Sequence, residues 1–521
     1  MRDTCCAAAV LCALLWAALA GPVTAAEPGE AVDLLGAPAA DAAVGGADTP
    51  GDGEDTHPVY KLKPEPYSED GAISISLEEL LELAVANNLG LGQQHISIEK
   101  GHYSVDQTYY AFDPMLSGSL SYSYRDAEPG GVGSADSESL AAGIDYTIPR
   151  EYGDAFRLGY DLSRTGPDSL FEDPGADATY SSAIGLSYSR PLARGAGRYI
   201  NRIPRFIASN SLLLSYDRLD DQVRQLKKNV MDTYFAAVAA REGIAVRETS
   251  LDVSLKQLER SVERYKVGLA IRAELLQAEN SVLSQRSQLL DAHASYDGLL
   301  DSLVALIGLP QEYVLTVDAD GALLDLGGEL PEDLWRLVEQ NSYDLKSLNT
   351  QLANLRLQRD QQLDQLQPAV DLSLSLGRSA ADTSVGEALT DNDTTTYGVS
   401  LNWSKTPGER SARASLAQAD LDLASLDLAI QDAELQLKTA LRGRQRELAT
   451  RYQQISLAES NLEVVRETHA IQVERNAVGL ATTLDVVEAQ ESVLGAELAL
   501  LSARVSYQQA YREILLLAGL I

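Results

Sequence analysis

Short segments of alternating large and small residues recur along this sequence. Between 116 and 124, Leu, Gly and Tyr occupy the even positions, and Ser occupies every odd position. A period of two places the two sets on opposite faces of a β-strand. The same alternation recurs at 144–148, 156–162, 184–188, 370–376 and 397–403. Strands with one apolar face and one polar face are typical of transmembrane β-strands, and a secreted β-sandwich is the alternative.

Two long stretches without proline have a different period. None of the 18 prolines lies between Pro204 and Pro310, or between Gly408 and Ile521. Proline interrupts a helix interior at a cost of about 3 kcal/mol, so both stretches can form continuous helices. Apolar residues recur at sevens in both, at Leu276, Leu283 and Leu290 and at Val487, Leu494 and Leu501. This is the spacing of a coiled-coil seam, and it predicts helices long enough for a tube or a spacer.

The chain also contains an internal duplication. A shift of 211 positions aligns 263–283 with 474–494 at ten identities. The same shift pairs Gly308 with Gly519. Earlier in the chain, a shift of 254 pairs Asn87 with Asn341 and Pro114 with Pro368. The first repeat therefore carries 43 extra residues, which include alternating segments at 140–148 and 154–165.

The amino-terminal part precedes the first repeat. Residues 1–26 have the basic start, the apolar run and the small residues of a secretory signal peptide. A membrane anchor is the alternative, but the apolar run is shorter than the roughly 20 residues that a membrane span needs. Residues 27–72 are rich in Ala, Gly, Pro and Asp and predict a flexible leader.

The two repeats follow this leader. The first is predicted at 73–310, with strands at about 115–191 and long helices at 204–309. A linker is predicted at 311–329. The second repeat is predicted at 330–521, with strands at about 369–404 and long helices at 408–519.

Charge and composition exclude several functions. The formal net charge of −34 argues against nucleic acid as a partner, because phosphate binding needs clustered Lys and Arg. The acidity serves either solubility or a lumen that favours cations. Only five His residues occur, and none pairs with another at a metal-binding spacing. We therefore predict no enzyme activity, no catalytic residue, no cofactor and no metal site.

Cysteine usage agrees with export. Cys5, Cys6 and Cys12 all lie in the predicted signal peptide. The mature chain would therefore contain no disulfide, and packing alone would hold it together.

The paired segments RYKVGLAIRAELLQAE, from Arg264, and RNAVGLATTLDVVEAQ, from Arg475, resemble the TolC-like outer-membrane efflux protein family. So does YSRPLARGAGRYINR, from Tyr188. The resemblance implies an α+β membrane protein, a duplicated subunit with transmembrane β-barrel strands and a long periplasmic α-helical barrel of coiled-coil hairpins. It implies a homotrimer in the lipid of the cell outer membrane. The extra segments leave the strand count of the barrel open, because they either join it or form a hairpin beyond the membrane.

The family also implies a function. Its members are passive ducts of tripartite efflux or type I secretion systems, which dock to a periplasmic adaptor (membrane fusion) protein and an inner-membrane pump or ABC transporter. The resemblance leaves open which of these systems the chain serves. The alternative is a structural coiled-coil spacer or tether of the envelope without transport activity.

Two groups of site residues follow from this resemblance. Glycine permits the tight reversal between two helices, which places Gly268 and Gly479 at hairpin tips. By resemblance, the adaptor-binding residues of the tips are Val267, Gly268, Leu269, Val478, Gly479 and Leu480. The alternative is that Val and Leu only seal the turn.

The second group is an acidic ring at the periplasmic aperture, formed by Glu274, Asp485 and Glu488. Asp485 and Glu488 are three positions apart and share a helix face, and an ordinary solvated face is the alternative. The best-known family member closes this end with a Tyr and an Arg. Asn476 and Ala481 occupy those positions here, which leaves open how this end of the channel is latched.

Overall fold

The structure is a computed structural model, which describes residues 72–125, 137–166, 178–268, 270–310, 313–317, 330–390 and 394–521. The predicted signal peptide at 1–26 and nearly all of the leader at 27–72 lie outside the described residues. The prediction of an α+β chain with strands and very long helices is confirmed.

Eight strands occur in the described part of the chain. They are β1 Ala72–Ile75, β2 Met115–Arg125, β3 Ser137–Pro149, β4 Ala155–Gly166, β5 Thr179–Pro191, β6 Val314–Val317, β7 Ala369–Asp382 and β8 Thr394–Ser404. Six of them form one antiparallel sheet in the order β2-β3-β4-β5-β7-β8, and β1 pairs with β6 in parallel. The pair β5–β7 joins the two repeats within one sheet.

Nine α-helices occur in the same described ranges. They are α1 Leu77–Asn87, α2 Leu89–Gln107, α3 Arg198–Lys266, α4 Arg272–Ile307, α5 Leu334–Asn341, α6 Tyr343–Gln365, α7 Val385–Thr390, α8 Arg410–Ala477 and α9 Thr483–Ala518. A 3₁₀ turn, Thr108–Phe112, connects α2 to β2. With 69 and 68 residues, α3 and α8 are each about 100 Å long at 1.5 Å per residue. No described helix has the length and apolar character needed to cross a membrane.

The register of the large sheet explains the alternation in the sequence. Directly paired residues of antiparallel strands share a face. Leu116 pairs with Tyr146, which pairs with Leu158, which in turn pairs with Leu186. Leu186 pairs with Leu376, and Leu376 with Tyr397. One apolar face therefore runs across all six strands, and Ser, Thr and Gly dominate the opposite face.

The two extra segments of the first repeat are strands β3 and β4 of this sheet. Their hairpin is inserted between β2 and β5 and pairs with both over 11 residue pairs each. The two extra segments therefore belong to the same sheet as the other strands of the subunit. Full backbone pairing on both sides satisfies the hydrogen-bonding groups that a detached hairpin would leave unpaired along its edges.

Two element boundaries differ from the sequence prediction. Helix α3 begins at Arg198, so Pro204 lies inside it instead of at its start at 204. Pro204 is the seventh residue of α3, so it keeps a helical φ but removes one intrahelical hydrogen bond, and the packing of the rest of the helix must offset this loss. Of the predicted linker 311–329, the structure describes 313–317, where β6 replaces irregular chain by pairing with β1.

In each repeat, a glycine that follows the second long helix packs against an asparagine at the end of the first short helix. Gly308 has φ +72°, and a Cβ added there would lie 2.5 Å from the backbone oxygen of Asn87. Gly519 has φ +70°, and its added Cβ would lie 2.5 Å from Cβ of Asn341. Only glycine fits such a left-handed, crowded position without strain. The residues that the duplication pairs in the sequence thus meet in space in both repeats.

Candidate functional site

The two predicted hairpin tips have the same backbone geometry. Val267 caps the end of α3 and is followed by Gly268, and Val478 caps α8 and is followed by Gly479, with φ values of +76° and +79° at the two glycines. Val267 N–H donates to the carbonyl of Glu263, and Val478 N–H donates to that of Glu474. Each chain then reverses within a few residues into α4 or α9.

The apolar side chains at these tips are exposed in the subunit. Val267 is 67% exposed, and Val478 and Leu480 are each 71% exposed. Neither tip glycine has a neighbouring atom within 4 Å of an added Cβ. Leu269, the remaining predicted tip residue, lies outside the described residues. The described Val and Leu side chains therefore do not pack into the turn, and they present an apolar surface at the end of each hairpin.

Two of the three predicted acidic residues lie in the first turns of the returning helices, and Glu488 follows three positions after the second of them. Glu274 is in the first turn of α4, and Asp485 is in the first turn of α9. Asp485 and Glu488 are exposed on one face of α9, and Glu274 is half-buried.

Asp485 has a second role that the sequence analysis missed. Its Oδ2 accepts hydrogen bonds from the backbone N–H of Thr482 at 2.7 Å and from the Thr482 hydroxyl at 2.8 Å. The Asp485 N–H donates back to that hydroxyl, which completes a capping box. The Thr482 N–H and then its hydroxyl hold the pKa of the Asp485 carboxyl below its usual range. The Thr-x-x-Asp spacing is the signal that could have revealed this cap.

Asn476 and Ala481, the two positions at which the resemblance leaves the latch open, are joined by a hydrogen bond. Nδ2 of Asn476 donates to the Ala481 carbonyl at 2.9 Å, within the α8–α9 tip. Arg264 of α3 donates to Oδ1 of Asn476 at 3.4 Å. One asparagine therefore both stabilises its own tip and contacts the neighbouring hairpin.

The polar face of the sheet contains an ion-paired band on the β3–β4 hairpin. Arg157 donates to Asp145 through Nε at 2.9 Å and through Nη2 at 2.7 Å. Each of two carboxylates on this hairpin lies over a paired glycine. A Cβ on Gly159 would lie 2.6 Å from Asp145, and one on Gly143 would lie 2.7 Å from Asp161. The glycines therefore leave room for charged side chains on an otherwise small-residue face.

The long helices pack in a row with two free edges. In the half nearer the tips, the described contacts give the order α4, α3, α9, α8, and in the half nearer the sheet α2, α3, α6, α8. Helices α4 and α2 thus form one edge, and α8 forms the other. The two sheet strands with an unpaired edge are β2, which follows α2 in the chain, and β8, which precedes α8.

Both edges carry apolar residues at sevens, each at least 49% exposed. On the first edge they are Leu89, Ile96 and Tyr103 of α2 and Leu276, Leu283 and Leu290 of α4. On the second edge, all on α8, they form two runs of sevens, Leu421, Leu428 and Leu435 and then Leu457, Val464 and Ile471. Among these residues, the sequence had indicated only the heptad spacing of the α4 leucines, as a seam that faces a neighbouring helix. We call these sets the edge stripes.

The described residues contain no group of three or more His, Cys, Asp or Glu side chains that could hold a metal ion. The charged groups of the site serve as caps, ion pairs and exposed faces.

Comparison with known proteins gives the following matches. The chain matches the family described as outer membrane efflux protein over residues 202–309 and 334–520, more than half of its length. No curated protein matches it.

Several solved structures share the fold at low sequence identity. The channel CusC has a TM-score of 0.64 and 16% identity, and the match covers 86% of this chain and 93% of that one. VceC from Vibrio cholerae has a TM-score of 0.61 and 16% identity, over 85% and 95% of the two chains. The open state of the Neisseria gonorrhoeae MtrE outer membrane channel has a TM-score of 0.61 and 16% identity, over 86% and 94%.

Proposed function

The chain belongs to the outer membrane efflux protein family, and we propose that three copies form the passive outer-membrane duct of a tripartite export system. The protein is an outer-membrane channel whose helical part lies in the periplasm. The finer proposal is that the duct docks to a periplasmic adaptor and, through it, to an inner-membrane pump or ABC transporter.

The incomplete sheet is the observation that carries this proposal. A single subunit has an apolar sheet face and two unpaired edge strands, β2 and β8. In lipid each unpaired backbone group costs several kcal/mol, so a membrane sheet must close on itself. Strands β2 and β8 run in opposite directions within the sheet, so β8 of one copy can pair with β2 of the next in the antiparallel sense.

The edge stripes support the same head-to-tail closure. The α4 stripe extends to Leu290, 22 residues from Gly268, and the α8 stripe near the other tip extends to Leu457, 22 residues from Gly479. The two stripes therefore lie at the same distance from the tips and can pack as a coiled-coil seam between copies. An interface that joins two different edges of one subunit closes into a ring. A ring of three copies is what the resemblance to TolC-like proteins implies.

Exposed tips support adaptor docking. Val267, Val478 and Leu480 lie at the ends farthest from the sheet along the helices, and about two thirds of each residue's surface is exposed in the subunit. Apolar side chains held out by a rigid hairpin are typical of a helix-docking surface.

A structural spacer is the competing function, and the sheet argues against it. A tether needs the long helices, but it has no use for six strands with one apolar and one polar face. Conductance in a planar bilayer separates the two functions. A duct passes current in discrete steps, and a tether that leaves the bilayer insulating would refute the duct.

The edge stripes provide a test of assembly with a matched control. Leu283→Glu places a charge in the stripe of α4, whereas Gln288→Glu adds the same charge on the same helix outside the stripe. We expect the first variant to lose the trimer in light scattering in detergent and the second to keep it. Equal trimer content in the two variants would remove α4 from the subunit interface.

A further inference from the structure

The two repeats contribute unequal numbers of strands to the sheet. The second repeat supplies one hairpin, β7–β8, between its helices α6 and α8. The first supplies four strands, because the β3–β4 hairpin is inserted between β2 and β5. Because the insertion adds two antiparallel strands, β5 still runs antiparallel to β2. The apolar and polar side chains of the later strands therefore keep the same faces of the sheet.

The turn of the inserted hairpin is fixed to the base of the helical part. Glu151, in the turn between β3 and β4, accepts hydrogen bonds from Arg198 and Arg202 at the start of α3, each at 2.7 Å. Gly197 N–H donates to the Tyr152 carbonyl at 3.1 Å, and Arg198 lies over the Tyr152 ring. The turn therefore lies at the same end of the sheet as the helices, and β3 and β4 run the length of their neighbours from that end.

The hairpin also shares the apolar face of the other strands. Ile144 pairs with Tyr160, and Tyr160 pairs with Ile184. The side chains Tyr146 and Leu158 on this face are exposed in the subunit. Both inserted strands thus satisfy the two requirements of a membrane-spanning strand, which are paired backbone and a lipid-compatible face.

We propose that the β3–β4 hairpin widens the barrel, so that three copies of six strands close a pore of eighteen strands. This inference rests on the proposed three-subunit duct. Four strands per subunit would close twelve. Barrel diameter grows roughly linearly with strand number at a given tilt, which makes this bore about 1.5 times as wide. Barrels of this size leave an open aqueous channel, so the outer-membrane part admits bulky cargo and selection falls to the helical end.

The hairpin also changes the chemistry of the wall that it widens. It brings Arg157, Asp145 and Asp161 to the polar face, where neighbouring positions on β5 are Ala183, Gly185 and Ser187. Three copies repeat this ion-paired band around the bore. A wide pore with an internal ion-paired band suits hydrated polar cargo.

Electron cryo-microscopy of the purified full-length protein in lipid nanodiscs tests the strand count directly. We expect a three-subunit ring with eighteen strands, in which β3 and β4 form part of the wall. A ring closed by twelve strands, with this hairpin outside the wall, would overturn the wide bore and leave the proposed duct intact. A preparation without any ring would overturn both.

Disulfide formation between introduced cysteines tests, in the membrane, whether β4 pairs with β5. Ser163 of β4 pairs directly with Ser181 of β5, whereas Ser187 pairs with Arg157. The chain has no cysteine after Cys12, so beyond that residue any disulfide must form between introduced cysteines. We expect Ser163→Cys with Ser181→Cys to oxidise in outer membranes, and Ser163→Cys with Ser187→Cys to stay reduced. Equal oxidation of the two pairs, or none in the first, would contradict the insertion.

Removal of residues 137–166 tests the width of the pore. This deletion leaves β2 and β5 to pair directly, as β7 and β8 do in the second repeat. With poly(ethylene glycol) added on the strand side of a planar bilayer, we expect the variant to exclude polymers that enter the full-length pore. The same size cut-off for both, in a variant that still forms trimers, would show that the hairpin does not set the bore.

Discussion

Nε of Arg512 lies 2.9 Å from Oδ1 of Asp232, which joins the last helix of the second repeat to the first long helix of the first. The two residues are 280 positions apart. The Arg512 side chain is only 4% exposed and also stacks over the Phe235 ring. Burial lowers the pKa of Arg512, and the hydrogen bond and charge of Asp232 oppose that shift.

Further ion pairs surround this contact. Lys228 approaches Asp232 at 2.8 Å, and Arg444 approaches Glu513 at 2.7 Å. The charges therefore connect α3, α9 and α8 at one level of the helical part. We infer that this cluster fixes the two repeats relative to each other.

The first prediction concerns the stability of this junction. Asp232→Ala leaves the Arg512 guanidinium buried without its carboxylate, and losing one partner of a buried pair costs about 3–5 kcal/mol. We expect a clearly lower midpoint of helix unfolding in urea, followed by circular dichroism.

Lys256→Ala is the control for this prediction. Lys256 also pairs with an aspartate, Asp252, but both side chains are more than half exposed, so its loss should cost between 0 and about 1 kcal/mol. Similar midpoints for the two variants would contradict a special role for the buried pair.

The second prediction separates charge from capping at the aperture. Glu488→Gln removes a charge from α9 and leaves the capping box intact. If the acidic ring lines the pore, cation selectivity should fall, as measured by the reversal potential in a salt gradient.

Asp485→Asn alters both the charge and the cap, because Asp485 accepts two hydrogen bonds from Thr482. Thr482→Val is its control, since it removes the hydroxyl of the cap and keeps the charge. We expect Thr482→Val to leave the reversal potential unchanged and to reduce the stability of α9 by about 1 kcal/mol. An unchanged potential in Glu488→Gln would remove that residue from the pore lining.

The third prediction concerns the tips. A photo-cross-linking residue at Val478 should capture a periplasmic adaptor in intact cells, because this side chain is held out at the end of the α8–α9 hairpin. The captured protein is identified by mass spectrometry. The same probe at Leu435, a half-helix away on α8, should instead capture a second copy of the chain. If Val478 captured only the chain itself, the tip would be a subunit contact.

The fourth prediction concerns pH. His469 on α8 lines a cavity of about 220 Å³ with Gln257 and Gln285, between the two hairpins. Burial lowers the pKa of His469, so the packed state favours the neutral ring. An opened state, in which His469 is exposed to water, has the ordinary histidine pKa of about 6.5. As the pH falls below this value, the opened state binds the proton more readily than the packed state, so the packed state loses stability.

Hydrogen exchange of the α8 backbone around His469 measures this loss. After correction for the intrinsic rate of amide exchange at each pH, we expect lower protection of these amides at pH 5 than at pH 7.5, with a smaller difference in His469→Gln. The exposed His293 of α4 supplies the control, and His293→Gln should behave like the unsubstituted chain. An equal pH effect in all three proteins would assign the change to other groups.

The sequence by itself determined the local structure and the duplication. The Leu116 to Tyr124 alternation predicts a strand because a period of two is a property of the strand backbone. Proline-free, heptad-spaced stretches predict the long helices for the same local reason. The match of Asn87 and Gly308 with Asn341 and Gly519 indicated a repeat before any contact between them was known.

The tertiary structure decided what depends on pairing between distant segments. The strand order, with β5 beside β7, and the position of the β3–β4 hairpin both depend on which strands pair. The alternation of large and small residues along each strand would be the same for any strand order. The strand at 314–317 exists because β1 lies beside it. Arg512 and Asp232 show the same limit, because a buried ion pair across 280 residues requires the folded chain to bring the two charges together.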